Sequence, residues 1–302
     1  MTGMRLTGLH FLVTYRCTYS CDHCFVWGSP DLELTMTIAQ LRAAIDAAVD
    51  LGTIDTVYFE GGEPTLAYPV VLEAAAYARA AGLDFGLVTN SFWAVSPEDA
   101  ELWLHPFAAL GIADLSVSAY PYAGADALED LRLRNAVTAA QRLGLPLGVL
   151  EVGACAQLDD LGVACGDAMA VMYRGRAAVE LAPAAAYRPP ASLVSCPHED
   201  LLDPGRVHLG ADGELQVCQG LSAGNAFRDG LRAVAERYSP TTMPVFRELL
   251  AGGPWALARA SGLEPQCELY ADECHLCYEL RSRLRDCFPE ILAPAVCYGP
   301  EG

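Results

Sequence analysis

The 302 residues carry 38 acidic against 19 basic side chains, a formal net charge of −19, and 53% of them are hydrophobic. The apolar share is ample for one barrel-sized α/β domain, or for a smaller one with an appendage. The charge excludes nucleic acid, whose phosphates need a basic face, and disfavours anionic membranes. No apolar run approaches the roughly 18 residues of a membrane span. Met1–Arg5 passes directly into a strand-like stretch with no signal peptide, so the chain is expected in the cytoplasm. Twelve cysteines in that compartment point to metal ligands more than to disulfides.

In chain order, Leu9–Thr14 is a short apolar run ending just before the first cysteines. Thr37–Leu51 reads as a helix: Thr37 and Gln40 make a capping box, and Ile38, Leu41, Ile45 and Val49 line one face. Thr56–Phe59 is a strand running into Glu60-Gly61-Gly62-Glu63-Pro64. A helix over Pro69–Ala81 stops at Gly82, and Phe85–Thr89 is the next strand. Ser96 and Pro97 suit the N-cap and first position of a helix to about Leu110. Leu115–Ser118 (strand), Ala127–Leu143 (helix), Leu147–Val152 (strand) and Ala168–Met172 (strand) continue the pattern. Six strands with helical crossovers predict a parallel sheet curled into a full or partial barrel. In such folds, site residues collect at the carboxyl ends of strands.

After Arg176 the texture changes. Residues 183–204 are rich in proline and alanine, and Arg206–Val217 reads as a β-hairpin turning at Asp212-Gly213. Helices are expected near 229–237 and 243–261, before a Cys-rich tail from Cys267. The expected domains are 1–185 and 186–302.

Cys17, Cys21 and Cys24 are spaced C-x3-C-x2-C on the loop after the first strand. Three thiolates on a four-iron cube leave one iron open to an exogenous chelator. Three thiolates and a fourth ligand, His23 being nearest, could alternatively hold zinc. Spacing alone leaves both open.

The segment resembles the radical S-adenosylmethionine (SAM) superfamily, whose hallmark is C-x3-C-x-aromatic-C, with His23 in the aromatic position. Gly61, Gly62, Glu63 and Pro64 resemble the family's turn against the methionine amino group of SAM. Two glycines let a backbone approach a ligand closely, and carbonyls accept from an ammonium. Thr89 and Asn90, with Ser116 and Ser118, end strands where the family supplies ribose and carboxylate contacts. Glu151 ends the fifth strand, facing substrate or capping a helix. Arg174-Gly175-Arg176 resembles a Gly-Arg-Ala junction, and one of its arginines is expected on the SAM carboxylate. Trp93 and Tyr298-Gly299 also match, without a physical account from sequence. The resemblance implies a partial (β/α)6 TIM-like barrel and reductive cleavage of SAM at the [4Fe–4S] cluster. It also implies a reductase, flavodoxin or ferredoxin as electron donor.

A second set comprises Cys196, Cys218 and the knuckle Cys274-His275-Leu276-Cys277. Cys218 closes a Gly-x4-Cys hairpin from Gly213. Two such pairs suit a cubane or a tetrahedral metal. They resemble the SPASM/twitch extensions of the superfamily. Nine residues separate Cys277 from Cys287, so the further SPASM series is absent and the twitch form, with one auxiliary [4Fe–4S] cluster, fits better. Cys267 is a competing ligand. Cys155, Cys165, Cys287 and Cys297 read as small apolar side chains or as hydrogen-atom donors to a substrate radical.

Three functions remain open. The first is hydrogen abstraction from a small molecule or natural-product intermediate, with a redox change such as dehydrogenation. The short stretch before the first strand leaves no room for a leader-binding domain, and a single-cluster extension is the form of an aminoglycoside-pathway dehydrogenase. The second is modification of a ribosomal peptide or protein side chain by crosslinking, epimerisation or thioether formation. The third is a zinc-binding structural protein without SAM chemistry.

Overall fold

The structure is a computed structural model, and it describes residues 3–119, 127–154, 156, 158–164, 168–185 and 188–299. The backbone divides into two bodies. One comprises His10–Cys21 and Gly28–Val171, the other Met1–Leu9, Asp22–Trp27 and Met172–Gly302. Among the described residues, no helix is long and apolar enough to cross a membrane.

The first body alternates strands and helices: β1 (Gly8–Thr14), α1 (Ile38–Leu51), β2 (Thr56–Gly61), α2 (Tyr68–Ala80), β3 (Asp84–Thr89), α3 (Pro97–Ala109), β4 (Asp114–Ser118), α4 (Ala127–Arg142) and β5 (Leu147–Leu150). Strand order is β1-β2-β3-β4-β5, and β2 to β5 pair in parallel. The capping box holds α1, with Thr37 accepting from Gln40 N and the Gln40 side chain accepting from Thr37 N. Ser96 caps α3 ahead of Pro97. A 3-10 turn over Pro64–Ala67 precedes α2. Val57, Phe59, Leu115 and Val117 are buried on one face of the sheet. Alternate positions Tyr58, Glu60, Ser116 and Ser118 stay partly open on the other, as period-2 strands require. At the sixth-strand position there is one parallel bridge, Val152 to Met169. Ala168, Met169 and Ala170 lack the β-branched side chains that favour a longer strand.

The second body contains α5 (Ala177–Glu180) and the antiparallel strands β6 (Arg206–Gly210), β7 (Glu214–Cys218) and β8 (Leu221–Asn225). It continues with α6 (Ala226–Asp229), α7 (Leu231–Arg237), α8 (Phe246–Ser261) and α9 (Glu273–Leu284). The β6–β7 hairpin turns at Gly213, whose φ of +88° is left-handed. α8 breaks at Gly252-Gly253. A Cβ at Gly253 would stand 2.3 Å from Ser195 N, so this break lets the segment leading to Cys196 pass.

Candidate functional site

In the first body, the turn after β2 and the end of β3 form one buried assembly. Glu63 is fully buried and accepts four hydrogen bonds: from Thr65 N (3.1 Å), Thr65 Oγ1 (2.5 Å), Thr89 Oγ1 (2.9 Å) and Asn90 N (2.7 Å). Burial pushes its carboxyl above the ordinary value, and the donors from Thr65, Asn90 and Thr89 pull it back. Thr89 Oγ1 accepts from Ser91 N and from the Trp93 indole, which gives Trp93 a physical role. Asn90 donates through Nδ2 to Cys17 Sγ at 3.4 Å and to Thr18 Oγ1 at 2.9 Å. The β3 end thus holds the first cysteine of the triplet.

The glycines of the turn serve the loop of Cys17. Gly61 has φ +140°, and a Cβ there would lie 2.4 Å from Thr14 O; one at Gly62 would lie 2.2 Å from Arg16 O. Gly62 N and Glu63 N donate to Thr14 O and Arg16 O at 2.7 and 2.8 Å. Their freedom therefore brings the β2 end against residues 14–16. Pro64 is buried at the start of the 3-10 turn. Ser116 donates to Asp114 at 2.8 Å, and Ser118 stands on the same partly open face. Glu151 accepts from Ala156 N at 2.6 Å.

Cys17 and Cys21 belong to the first body and Cys24 to the second. In the second body, Arg176 N donates to Cys24 O at 2.9 Å. Gly175 has φ +58°, and a Cβ there would lie 2.5 Å from Cys24 O. The Arg176 guanidinium donates to Trp27 O at 3.1 Å and lies 5.1 Å over the Trp27 ring. Trp27 in turn donates to Tyr278 OH at 3.0 Å, with Gly299 against its ring. Burial pushes His23 below its ordinary value, while Asp22 pulls it back up.

Also in the second body, Cys196, Cys218, Cys274 and Cys277 line one recess, together with Arg174 and Arg281. Cys218 ends β7. Cys274 and Cys277 lie in the first turns of α9, three apart and so on one face. Asp272 caps that helix by accepting from His275 N at 2.8 Å. Burial pushes Cys196 up to about 12, with further upward pressure from Cys218 and Cys277; burial raises Cys274 and Cys277 too. Arg174 donates to Glu199 at 2.8 Å and approaches Cys218 Sγ at 3.5 Å. Cys267 and Cys287 are exposed and do not line the recess. Cys297 is buried, its thiol donating to Gln216 Oε1 at 3.3 Å. Cys155 and Cys165 lie outside the described residues.

Residues 11–118 match the Radical SAM superfamily. That stretch is a radical SAM domain. The chain is 28% identical over 103 residues to YydG of Bacillus subtilis (strain 168), a protein named for peptide biosynthesis, covering 34% of this chain and 32% of that one. It is 30% identical over 86 residues to the S-adenosylmethionine-dependent nucleotide dehydratase of Selenomonas ruminantium, covering 28% of this chain and 30% of that one. The matched stretches span about a third of the length of these curated relatives. Among solved structures, BtrN in complex with AdoMet and 2-DOIA aligns with a TM-score of 0.52 at 14% identity, over 80% of this chain and 92% of that one. At that identity the likeness is one of fold.

A radical SAM domain implies a [4Fe–4S] cluster and SAM. The donor chemistry on the Cys17 side fits, since the thiol already receives an amide hydrogen bond from Asn90. Sequence reasoning did not anticipate the bracing by Glu63, the close approach of Gly175 to Cys24, or the two arginines at the four-cysteine recess. The i, i+4 spacing of Cys277 and Arg281 was the available signal for the last.

Proposed function

We propose that the chain is a radical SAM enzyme holding its SAM-cleaving [4Fe–4S] cluster through Cys17, Cys21 and Cys24. The reading continues with an auxiliary [4Fe–4S] cluster on Cys196, Cys218, Cys274 and Cys277, and with a small-molecule or natural-product substrate that loses a hydrogen atom in a net redox change such as dehydrogenation. The carrying observation is the convergence of four cysteines from three segments on one recess with two buried guanidiniums. Thiols driven upward by burial need a metal to hold them as thiolates, and buried Nε atoms of Arg174 and Arg281 without partners suit an anionic occupant.

The bound groups supply reductive cleavage of SAM to a 5′-deoxyadenosyl radical. The protein's share is positional. Asn90 fixes the Cys17 thiol, Glu63 locks the Gly61-Gly62 turn to the β3 end, and Arg176 with Gly175 fixes the backbone at Cys24. Backbone carbonyls of the glycine turn are proposed to accept from the SAM ammonium, with Thr89, Ser116 and Ser118 serving ribose and carboxylate. Arg176 is the arginine proposed for the SAM carboxylate, since Arg174 faces Glu199 and Cys218. A flavodoxin, ferredoxin or reductase is proposed as the electron donor.

The fold likeness to BtrN, whose complex holds AdoMet and 2-DOIA, supports the small-molecule reading. The match to YydG, named for peptide biosynthesis, favours the second reading, a peptide or protein side chain as substrate. Anaerobic reconstitution should load about eight irons per chain, as two four-iron clusters require. Dithionite should then yield 5′-deoxyadenosine, and the candidate class that raises that yield identifies the substrate. No iron and no 5′-deoxyadenosine under reducing conditions would leave only the zinc-binding structural protein.

A further inference from the structure

Arg281 is 2% exposed and lies among the largest fully buried side chains. Its Nη1 donates to Gln219 O at 2.8 Å, and its guanidinium stands 5.7 Å from the Tyr298 ring centroid. Its Nε is buried without a hydrogen-bond partner. Among the described residues, no carboxylate lies within ion-pair distance of it, whereas Arg174 pairs with Glu199 and Arg188 with Glu273. A guanidinium does not shed its proton in proteins. Buried without a counter-charge, it is among the costliest groups a fold can carry.

The lining of the four-cysteine recess suggests what answers that charge. Arg281 lies on α9 one turn after Cys277, on the same face. Its anchor Gln219 directly follows Cys218, and Arg281 lines the recess together with Cys218 and Cys277. A four-thiolate [4Fe–4S] cluster is a net anion, and its negative charge grows on reduction. A fixed cation beside it favours the reduced form more than the oxidised form.

We propose that Arg281 is the resident counter-charge of the four-cysteine recess and raises the reduction potential of the cluster bound there, making that site a better electron acceptor. The inference rests on the two-cluster reading above. Arg281 acts through the cluster's charge and touches neither SAM nor substrate, so it is a positioning residue. Arg174 is a weaker contributor, because Glu199 already offsets it.

The test uses the full chain with Cys17, Cys21 and Cys24 replaced by Ala, so that only the recess can load iron. Iron content and EPR-monitored redox titration are compared for Arg281, Arg281→Lys and Arg281→Met. The expected load with Arg281 present is about four irons. Arg281→Met should lower the reduced-to-oxidised ratio at a fixed solution potential at least tenfold, about 59 mV for a one-electron couple, while Arg281→Lys keeps most of the ratio. Failure to load iron with Arg281 present would overturn the two-cluster reading and this inference together. Four irons with the same potential in all three chains would overturn this inference alone.

Thermal unfolding covers the case in which Arg281→Met does not hold iron. Without metal, the Met variant should unfold no lower than the Arg281 chain, since an uncompensated buried charge has been removed. A large loss of metal-free stability in the Met variant, with none in Lys, would make Arg281 a structural strut instead.

Discussion

Glu63 accepts the backbone N–H of Asn90 at 2.7 Å and so ties the turn after β2 to the end of β3, which in turn holds Cys17. Glu63→Gln places an amide N–H among groups that all donate, and should cost about 1–3 kcal/mol of stability. Glu63→Ala leaves four donors without their acceptor and should cost about 3–5 kcal/mol. Denaturant unfolding of the metal-free chain measures both. A Glu63→Gln chain as stable as the parent would mean that the turn is held by its backbone bonds alone.

The same carboxyl carries a pH signature. Burial raises it above its ordinary 4.5 in the folded chain, so the native state binds its proton more tightly than the unfolded state does. Its contribution is therefore greatest below the ordinary value and declines as pH rises through the folded one. The stability difference between the parent and Glu63→Gln should shrink as pH increases across that window. A difference that grows with pH would show that the four donors outweigh burial.

Gly175→Ala should disturb the SAM-cleaving site selectively, because its Cβ would enter the space of Cys24 O while its φ of +58° already resists a side chain. Iron should fall from about eight to about four per chain, the auxiliary site remaining loaded. Gly144→Ala is the control. Its φ is +64° with nothing within 4 Å of the added carbon, so it should cost only about 1–2 kcal/mol of backbone strain and no iron. Equal iron in the two variants would break the link between Gly175 and Cys24.

The alternation of strands and helices was legible because α1, α3 and the β6–β7 hairpin announce themselves with local chemistry: the Thr37/Gln40 box, Ser96-Pro97, and Gly213. The sixth strand reduces to the Val152–Met169 bridge, and Ala168, Met169 and Ala170 around it are apolar without being β-branched. The cysteine spacings marked candidate ligands, since ligand chemistry is local in sequence. What Glu63, Gly175 and Arg281 touch was not legible, because each acts on a partner 26, 151 or 62 positions away. Gly61 and Gly62 show the same limit. Their pattern points to a close backbone approach, but that the approach is to Thr14 and Arg16 follows from the fold of the Cys17 loop, 45 or more positions upstream.

Cys196 makes metal loading of the recess pH-dependent. Burial first, then the neighbouring Cys218 and Cys277, push its thiol from the ordinary 9.0 to about 12. It is therefore protonated in the metal-free fold at neutral pH, and a metal must displace that proton to bind. Affinity should rise with pH by about tenfold per unit for each proton released. Folding of the metal-free chain runs the other way. The raised pKa means that Cys196 contributes stability below pH 9, and that this is lost progressively as pH climbs towards about 12. Zinc competition with a chelator on the chain lacking Cys17, Cys21 and Cys24, between about pH 6 and 8, reads the first slope. Cys196→Ser should weaken binding and reduce the slope by about one proton. A zinc affinity independent of pH would mean that the recess thiols are already ionised before the metal arrives, and that the buried cations rather than the metal hold them so.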